Sequence, residues 1–328
     1  MRQLGVLKSV EPREVWHNER EFSSWLKDNM NRLATALGLD IDITEDNVEC
    51  EVEAGDFAAD LVGKELTSGR KIVVENQLGA TNHDHLGKVI TYASNLDGGV
   101  VVWIAGEFRP EHRRALEWMN VHTDDAVRLF GVELRVLRVD DSHPAVEFRI
   151  VAEPAETDKP SQSLTARQRA YLAFFTDLLA RLKKTHKGLT AAKRAYPQSW
   201  FGFSAGKSGF SYAFAFTQTD QFRVELYIDV QHKDQNEEYF KALETDADAI
   251  AQVIGLPVSW EKLIEKRACR IAVYTPGTIE SSEEDIEGLK GWGLETIGRF
   301  VAAFSERIRS LKPMQQAGAE NAAVPSAD

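Results

Sequence analysis

The chain is poor in cysteine, in long apolar runs and in net positive charge, and each shortage removes a class of protein. Two cysteines among 328 residues, Cys50 and Cys269, build neither a disulfide framework nor a cysteine zinc site. They read as buried thiols of a reducing cytoplasm. No apolar run approaches the roughly 18 residues that span a bilayer. The opening Met1-Arg2-Gln3-Leu4-Gly5 lacks the apolar stretch of a signal peptide. A cytoplasmic protein with no membrane partner is therefore expected. A formal net charge of −12 argues against a protein that simply coats nucleic acid, because such binding rests on neutralising phosphates. It leaves room for a nuclease, since carboxylates that hold metal add to the negative count and a local basic patch can still meet DNA.

What is present suits two globular domains. The apolar fraction is 43% and the charged fraction 27%, enough to bury a core in each half. A polar, proline-bearing stretch at 153–164 reads as a linker between residues 1–152 and 165–312. The tail at 313–328, rich in Ala, Gln, Glu and Asn, is expected to be disordered. In the first half the periodicity predicts a helix over 18–37, opened by Asn18 and Glu21 in a capping-box pattern. Strands follow over 48–52, 57–62 and 71–77, then a helix over 83–96 and a doubly buried strand over 99–105. A helix over 110–119 and strands over 127–139 and 145–151 close the domain. The second half is expected as an α+β domain, with helices over 165–184, 236–254 and 282–311 and strands near 200–203, 209–216, 222–230 and 270–274.

The chemistry concentrates on two of these strands. Asp60 sits near the end of Ala58-Ala59-Asp60-Leu61-Val62, and Glu75 and Gln77 lie two apart on Ile72-Val73-Val74-Glu75-Asn76-Gln77. Period two puts Glu75 and Gln77 on one face, and a hairpin would bring Asp60 beside Glu75. A lone carboxylate closing a buried strand is costly unless it is paired or bound to metal. Magnesium favours such oxygen ligands, taking one or two carboxylates plus waters and a substrate phosphate. Gln77 can orient a water but cannot act as a base. On the next helix His85, Lys88 and Tyr92 fall at i, i+3 and i+7, one polar face beside these strands.

Asp60…Glu75-Asn76-Gln77, set in helix-strand-strand-strand-helix-strand order, resembles the PD-(D/E)XK nuclease superfamily. The likeness is to bacterial proteins that join this core to a C-terminal domain of unknown function. It implies an α/β, restriction-endonuclease-like fold, a central mixed sheet flanked by helices, followed by a second α+β domain. It also implies magnesium-dependent hydrolysis of phosphodiester bonds in DNA, with manganese as substitute, in bacterial defence or DNA maintenance. Asp60 matches the family's Asp and Glu75 its second acid. Gln77 stands where Lys is usual, and Lys88 on the following helix is the residue to take over. Glu21 matches an acid that some members add to the metal shell, although the capping box explains it equally. His85 and Tyr92 would contact the scissile phosphate. Double-strand cutting in this fold usually needs two active sites, which implies a homodimer. The alternative is a nuclease fold kept as a DNA- or protein-binding regulator, a reading that the Gln77 departure favours and the Asp60/Glu75 pair opposes.

Two further signals lie in the second half. Residues 161–200 carry eight Lys/Arg against one acid, Asp177, and Lys183, Lys184 and Lys187 are candidate DNA contacts, with a protein partner as the other role for this domain. The neighbouring aromatics, Phe201 to Phe216, read as core, with base stacking as the alternative. Ala205-Gly206-Lys207-Ser208 has the ending of a phosphate-binding loop, but Phe201 occupies its first glycine position, so it reads as a hairpin turn.

Overall fold

The protein is described from a computed structural model covering residues 4–52, 55–95, 99–123, 127–154, 164–230 and 232–312, with side chains described outside 44–58. It is a mixed α/β chain with two sheets, each with its own core. The expected linker centre at 155–163 and the tail at 313–328 lie outside the described residues. No helix among the described residues is long and apolar enough to cross a membrane.

The first sheet is built from β1 (Leu7–Val10), β2 (Ile41–Val52), β3 (Gly55–Glu65), β4 (Lys71–Ala80), β5 (Val100–Glu107), β6 (Arg128–Val139) and β7 (Ala145–Ala152). Their order is β1-β6-β5-β4-β3-β2, with β7 also paired to β6. Among the described residues only the β4–β5 and β5–β6 ladders are parallel. Parallel neighbours need long crossovers, and α4 (His83–Asn95) and α5 (Pro110–His122) supply them. The run Val100–Ala105 is at most 1% exposed because helices cover both faces of β5. Ile72, Val74, Val102 and Ile104 pack toward Phe22, Leu26 and Leu33 on α2 (Glu19–Asp28) and α3 (Met30–Leu37). Val73, Val101 and Trp103 pack toward Val89 and Tyr92 of α4 and Leu116 of α5.

Three local departures from the sequence reading have clear causes. The helix expected over 18–37 breaks at Asn29, whose backbone (φ −116°, ψ 22°) leaves the helical region while its side chain donates to the Trp25 carbonyl. A short α1 (Pro12–Val15) and the edge strand β1 precede it, both too short to leave a periodic signal. β2 begins seven residues earlier than the alternation suggested, with a register shift between Ile43 and Glu45 that blurs its period.

The second sheet is antiparallel, in the order β11-β12-β10-β9-β8. Its strands are β8 (Trp200–Ser204), β9 (Phe210–Phe216), β10 (Gln221–Ile228), β11 (Ser259–Lys262) and β12 (Cys269–Pro276). The helices are α6 (Ala166–Thr185), α7 (Lys233–Glu244), α8 (Ala247–Ile254) and α9 (Glu283–Ser310). The single helix expected over 236–254 is thus two, separated at Thr245–Asp246, and β11 is an addition. Phe201, Phe203, Phe210, Phe214 and Phe222 join Phe175, Phe300 and Phe304 in one buried cluster, so these rings are core. Ala205–Ser208 forms the β8–β9 turn. Cys269 is a buried free thiol, and the side chain of Cys50 lies outside the described residues.

The two parts meet along β2 and the β3–β4 turn. Asp40 accepts from the Thr190 hydroxyl and from the Ala191 and Ala192 amides. Gly209 N donates to Asp42 at 2.9 Å, and the Ser208 hydroxyl donates to the Ile43 carbonyl at 2.8 Å.

Candidate active site

Antiparallel pairing of β3 with β4 ends at Leu61 opposite Val74, and Asp60 and Glu75 are the next residue on each strand, close enough for their charges to interact. The Asn76 amide donates to Asp60 Oδ2 at 2.6 Å and fixes that carboxylate at the strand edge. Glu75 is 1% exposed. Helix α4 crosses this face, and its polar stripe converges on Glu75. Lys88 Nζ lies 2.7 Å from Oε1, the Tyr92 hydroxyl donates to Oε2 at 3.3 Å, and His85 Nε2 stands 3.7 Å from Oε1. The spacing of 85, 88 and 92 is what aims three side chains at one carboxylate.

The electrostatics follow from crowding two acids in a dry place. Burial, then the Asp60 charge, pushes Glu75 up from 4.5 to about 7, against the pull of Lys88 and Tyr92. Burial raises Asp60 too, opposed by the Asn76 amide and Lys88 and reinforced by Glu19. Burial and the Lys88 charge lower His85. Both the His85 backbone amide and its Nδ1 face Asn82 Oδ1, which can only accept, so Nδ1 donates there and Nε2 faces Glu75.

Several residues take other places than the sequence suggested. Glu21 does not face the acid pair. Asn18 caps the helix by accepting from the Glu21 amide, while Glu21 Oε2 accepts from the His17 amide and Oε1 from the Asn18 side chain, so the expected capping box is only half formed. The acid of α2 that faces the pair is Glu19, whose Oε1 accepts from the Leu78 amide at 3.3 Å and whose charge bears on Asp60 and His85. Glu19 is the other acid in the first turn of α2, and its Oε1 also pairs with Arg13 at 3.0 Å. Gln77 is 5% exposed and both ends of its amide are engaged. Oε1 accepts from the Trp103 indole at 3.1 Å and Nε2 donates to the Ala80 carbonyl at 2.7 Å. These two bonds tie its side chain to β5 and to the end of β4. Tyr92 is 1% exposed, which removes it from contact with a phosphate and makes it a partner of Glu75. Lys183 and Lys184 lie exposed on the last turn of α6, and Lys187 in the turn beyond.

Sequence reading also passed over two buried polar links behind the site. Asn76 Nδ2 donates to the Ser23 hydroxyl at 2.9 Å and ties β4 to α2. Thr81, His112 and His83 form a chain with contacts of 2.8 and 3.2 Å, beside the Trp103 ring. Neither has a sequence signature, because each joins distant segments through single side chains.

Among the described residues no group of three or more His, Cys, Asp or Glu is arranged to hold a metal ion. Two carboxylates nonetheless fit a hard divalent cation, which keeps several waters and binds substrate phosphate through its remaining positions. Their raised proton affinity is what a shared cation would relieve.

Comparison with known proteins touches only the other half of the chain. Residues 170–308 match the model of a family described as a domain of unknown function, DUF4268. No curated protein and no solved structure matches the chain.

Proposed function

We propose that this protein is a divalent-metal-dependent DNA endonuclease of the PD-(D/E)XK type, with a restriction-endonuclease-like first domain and magnesium, or manganese in its place, held by Asp60 and Glu75. The observation that carries the reading is the convergence on Glu75 of Asp60 from the next strand and Lys88 from the next helix. The β3–β4 hairpin feeding a parallel β5 through α4 supports the fold assignment.

When bound, the cation supplies a lowered pKa for a coordinated water and stabilises charge growing on the phosphodiester. The chain's own residues set the stage. Asp60 is fixed by the Asn76 amide. Tyr92 and Lys88 hold Glu75 in one rotamer. Lys88, about one-third exposed, reaches Glu75 from the solvent side of α4 at 2.7 Å. It thereby fills the cationic role left vacant by Gln77, either toward the attacking water or toward the phosphate. Glu19 adds negative potential from α2, favouring a cation between the elements.

The test is cleavage of supercoiled plasmid with magnesium or manganese against EDTA. Wild type is expected to cut. Asp60→Asn and Glu75→Gln are expected to abolish cutting, and Lys88→Ala to slow it by roughly 100-fold or more, the scale of a lost general acid–base or positioning group. Full activity in either acid variant sinks the assignment. Inactive wild type with every metal favours the regulatory alternative.

A further inference from the structure

Arg128, the first residue of β6, stands at the seam between the two parts, where the segment joining α6 to β8 meets it. Its Nη1 donates to the Tyr196 hydroxyl oxygen at 2.9 Å, and Arg194 Nε donates to the same oxygen at 3.1 Å. The Arg194 guanidinium also lies 4.9 Å from the centroid of the Tyr196 ring, and that of Arg70, just before β4, lies 5.5 Å from it. All four side chains are half-buried. Cations gathered away from water are costly unless an anion joins them.

Donors here outnumber acceptors. A phenol oxygen has two lone pairs and one proton, and two guanidiniums already take the lone pairs, so the Tyr196 proton is left to give. Arg128 Nε is buried and has no acceptor among the described residues. Neither Arg128 nor Arg194 has an ion pair there. The acid whose charge bears on Arg128 is Glu65, 1% exposed, with Oε1 on the Thr67 amide and Oε2 on the Ser68 amide. Arg128 and Arg194 outnumber it even with Arg70 left aside. Burial, then the Arg194 and Arg70 charges, hold Arg128 below the usual guanidinium range, against the pull of Tyr196 and Glu65. Arg128, Arg194 and Lys193 also line a recess of about 30 Å³. Glu153, on the same recess, stands 4.0 Å from Lys193 and offsets it, so the two arginines are the surplus.

We propose that Arg128, Arg194 and Tyr196 form a phosphate-binding site at the junction, separate from the acid pair. With Nη1 spent on Tyr196, the Nε edge of Arg128 is free for the two parallel bonds by which a guanidinium grips phosphate oxygens. Arg194 has its Nη end for the same purpose, and the Tyr196 proton meets a further oxygen. The recess has room for one or two oxygen atoms, so the rest of the ligand stays in solvent. The fitting ligand is thus a phosphate group presented from outside, carried by a DNA strand or by a free nucleotide. The site does not depend on the nuclease reading. Because Arg128 belongs to the first sheet and the other two residues to the segment entering the second, an occupied site ties the parts together.

The experiment compares thermal melting of the whole chain in sodium phosphate and in sodium chloride of equal ionic strength, both with EDTA near neutral pH. In parallel, fluorescence anisotropy follows a short labelled duplex across a salt series. Wild type should melt higher in phosphate than in chloride. Arg194→Gln should weaken phosphate about tenfold or more, the scale of one lost charge-assisted bond. Tyr196→Phe, which keeps the ring, should weaken it several-fold, and it decides if Arg194→Gln already melts low in chloride. A duplex salt slope flattened by about 0.9 in Arg194→Gln, but not in Tyr196→Phe, makes the phosphate that of DNA. An unchanged slope with weakened phosphate binding makes it that of a free nucleotide. If wild type melts alike in phosphate and chloride, or both variants keep the full phosphate effect, and the duplex slope is unchanged, the proposal is overturned. The acid pair and its metal are untouched by that result.

Discussion

At the scale of single residues, Glu75 is under the strongest tension. Its folded value of about 7 exceeds the ordinary 4.5, so the unfolded chain releases this proton first as pH rises. The stability contributed by Glu75 is therefore full in acid, declines between 4.5 and about 7, and stays lost above. Glu75→Gln should stabilise the metal-free protein by about 1–3 kcal/mol at pH 8 and by little at pH 4.5, read from thermal melts in EDTA. Equal effects at both pH values would contradict the assigned burial. Tyr92 pulls Glu75 down through its hydroxyl. Tyr92→Phe should move the rising limb of the cleavage–pH profile to higher pH, slowing the reaction several-fold near neutrality and hardly at all near pH 9. Much of this was legible in the sequence. Asp60 and Glu75 stood out as polar residues closing apolar strands, and His85, Lys88 and Tyr92 by helical spacing. Glu21 is taken up by His17 and Asn18, a local role its spacing allowed, whereas the bond from Trp103 to Gln77 joins two strands 26 residues apart and has no sequence signal.

At the scale of elements, the β2–β3–β4 ribbon positions the acids, and close backbone approach decides whether it forms. A Cβ on Gly63 would lie 2.1 Å from the Asp42 carbonyl oxygen, a clash with backbone that cannot swing aside. Gly63→Ala should cost about 1–3 kcal/mol or more by overpacking, and should lower activity by shifting Asp60, three residues along the same strand. Chemical denaturation with a parallel cleavage assay would check both. Long elements with a steady period were readable from sequence: α4, α5, α6 and β5 fall within a few residues of their expected bounds. Breaks were not. The apolar period runs unbroken through Asn29, where the backbone nonetheless leaves the helical region and ends α2. The short strands β1 and β11 carry too few residues to show alternation.

At the scale of the whole molecule, the two parts are joined by buried polar contacts, with Asp40 at their centre. Asp40 is 4% exposed and serves three donors from the 190–192 segment. Asp40→Ala would take the acceptor from the Thr190 hydroxyl and the Ala191 amide, a loss of about 2–4 kcal/mol. Calorimetry should then show one broad transition dividing into two, whereas an unchanged single transition would mean that the parts are coupled elsewhere. None of this junction was visible in the sequence, because Asp40 and Thr190 lie 150 residues apart and neither belongs to a periodic pattern. The function itself turns on whether Asp60 and Glu75 together hold a divalent cation. Isothermal titration of the whole chain with manganese measures that directly. Wild type should bind at least one ion, more tightly at about pH 8 than at pH 6 because Glu75 must first lose its proton, and both Asp60→Asn and Glu75→Gln should lose that binding. Manganese binding that neither substitution weakens would contradict it.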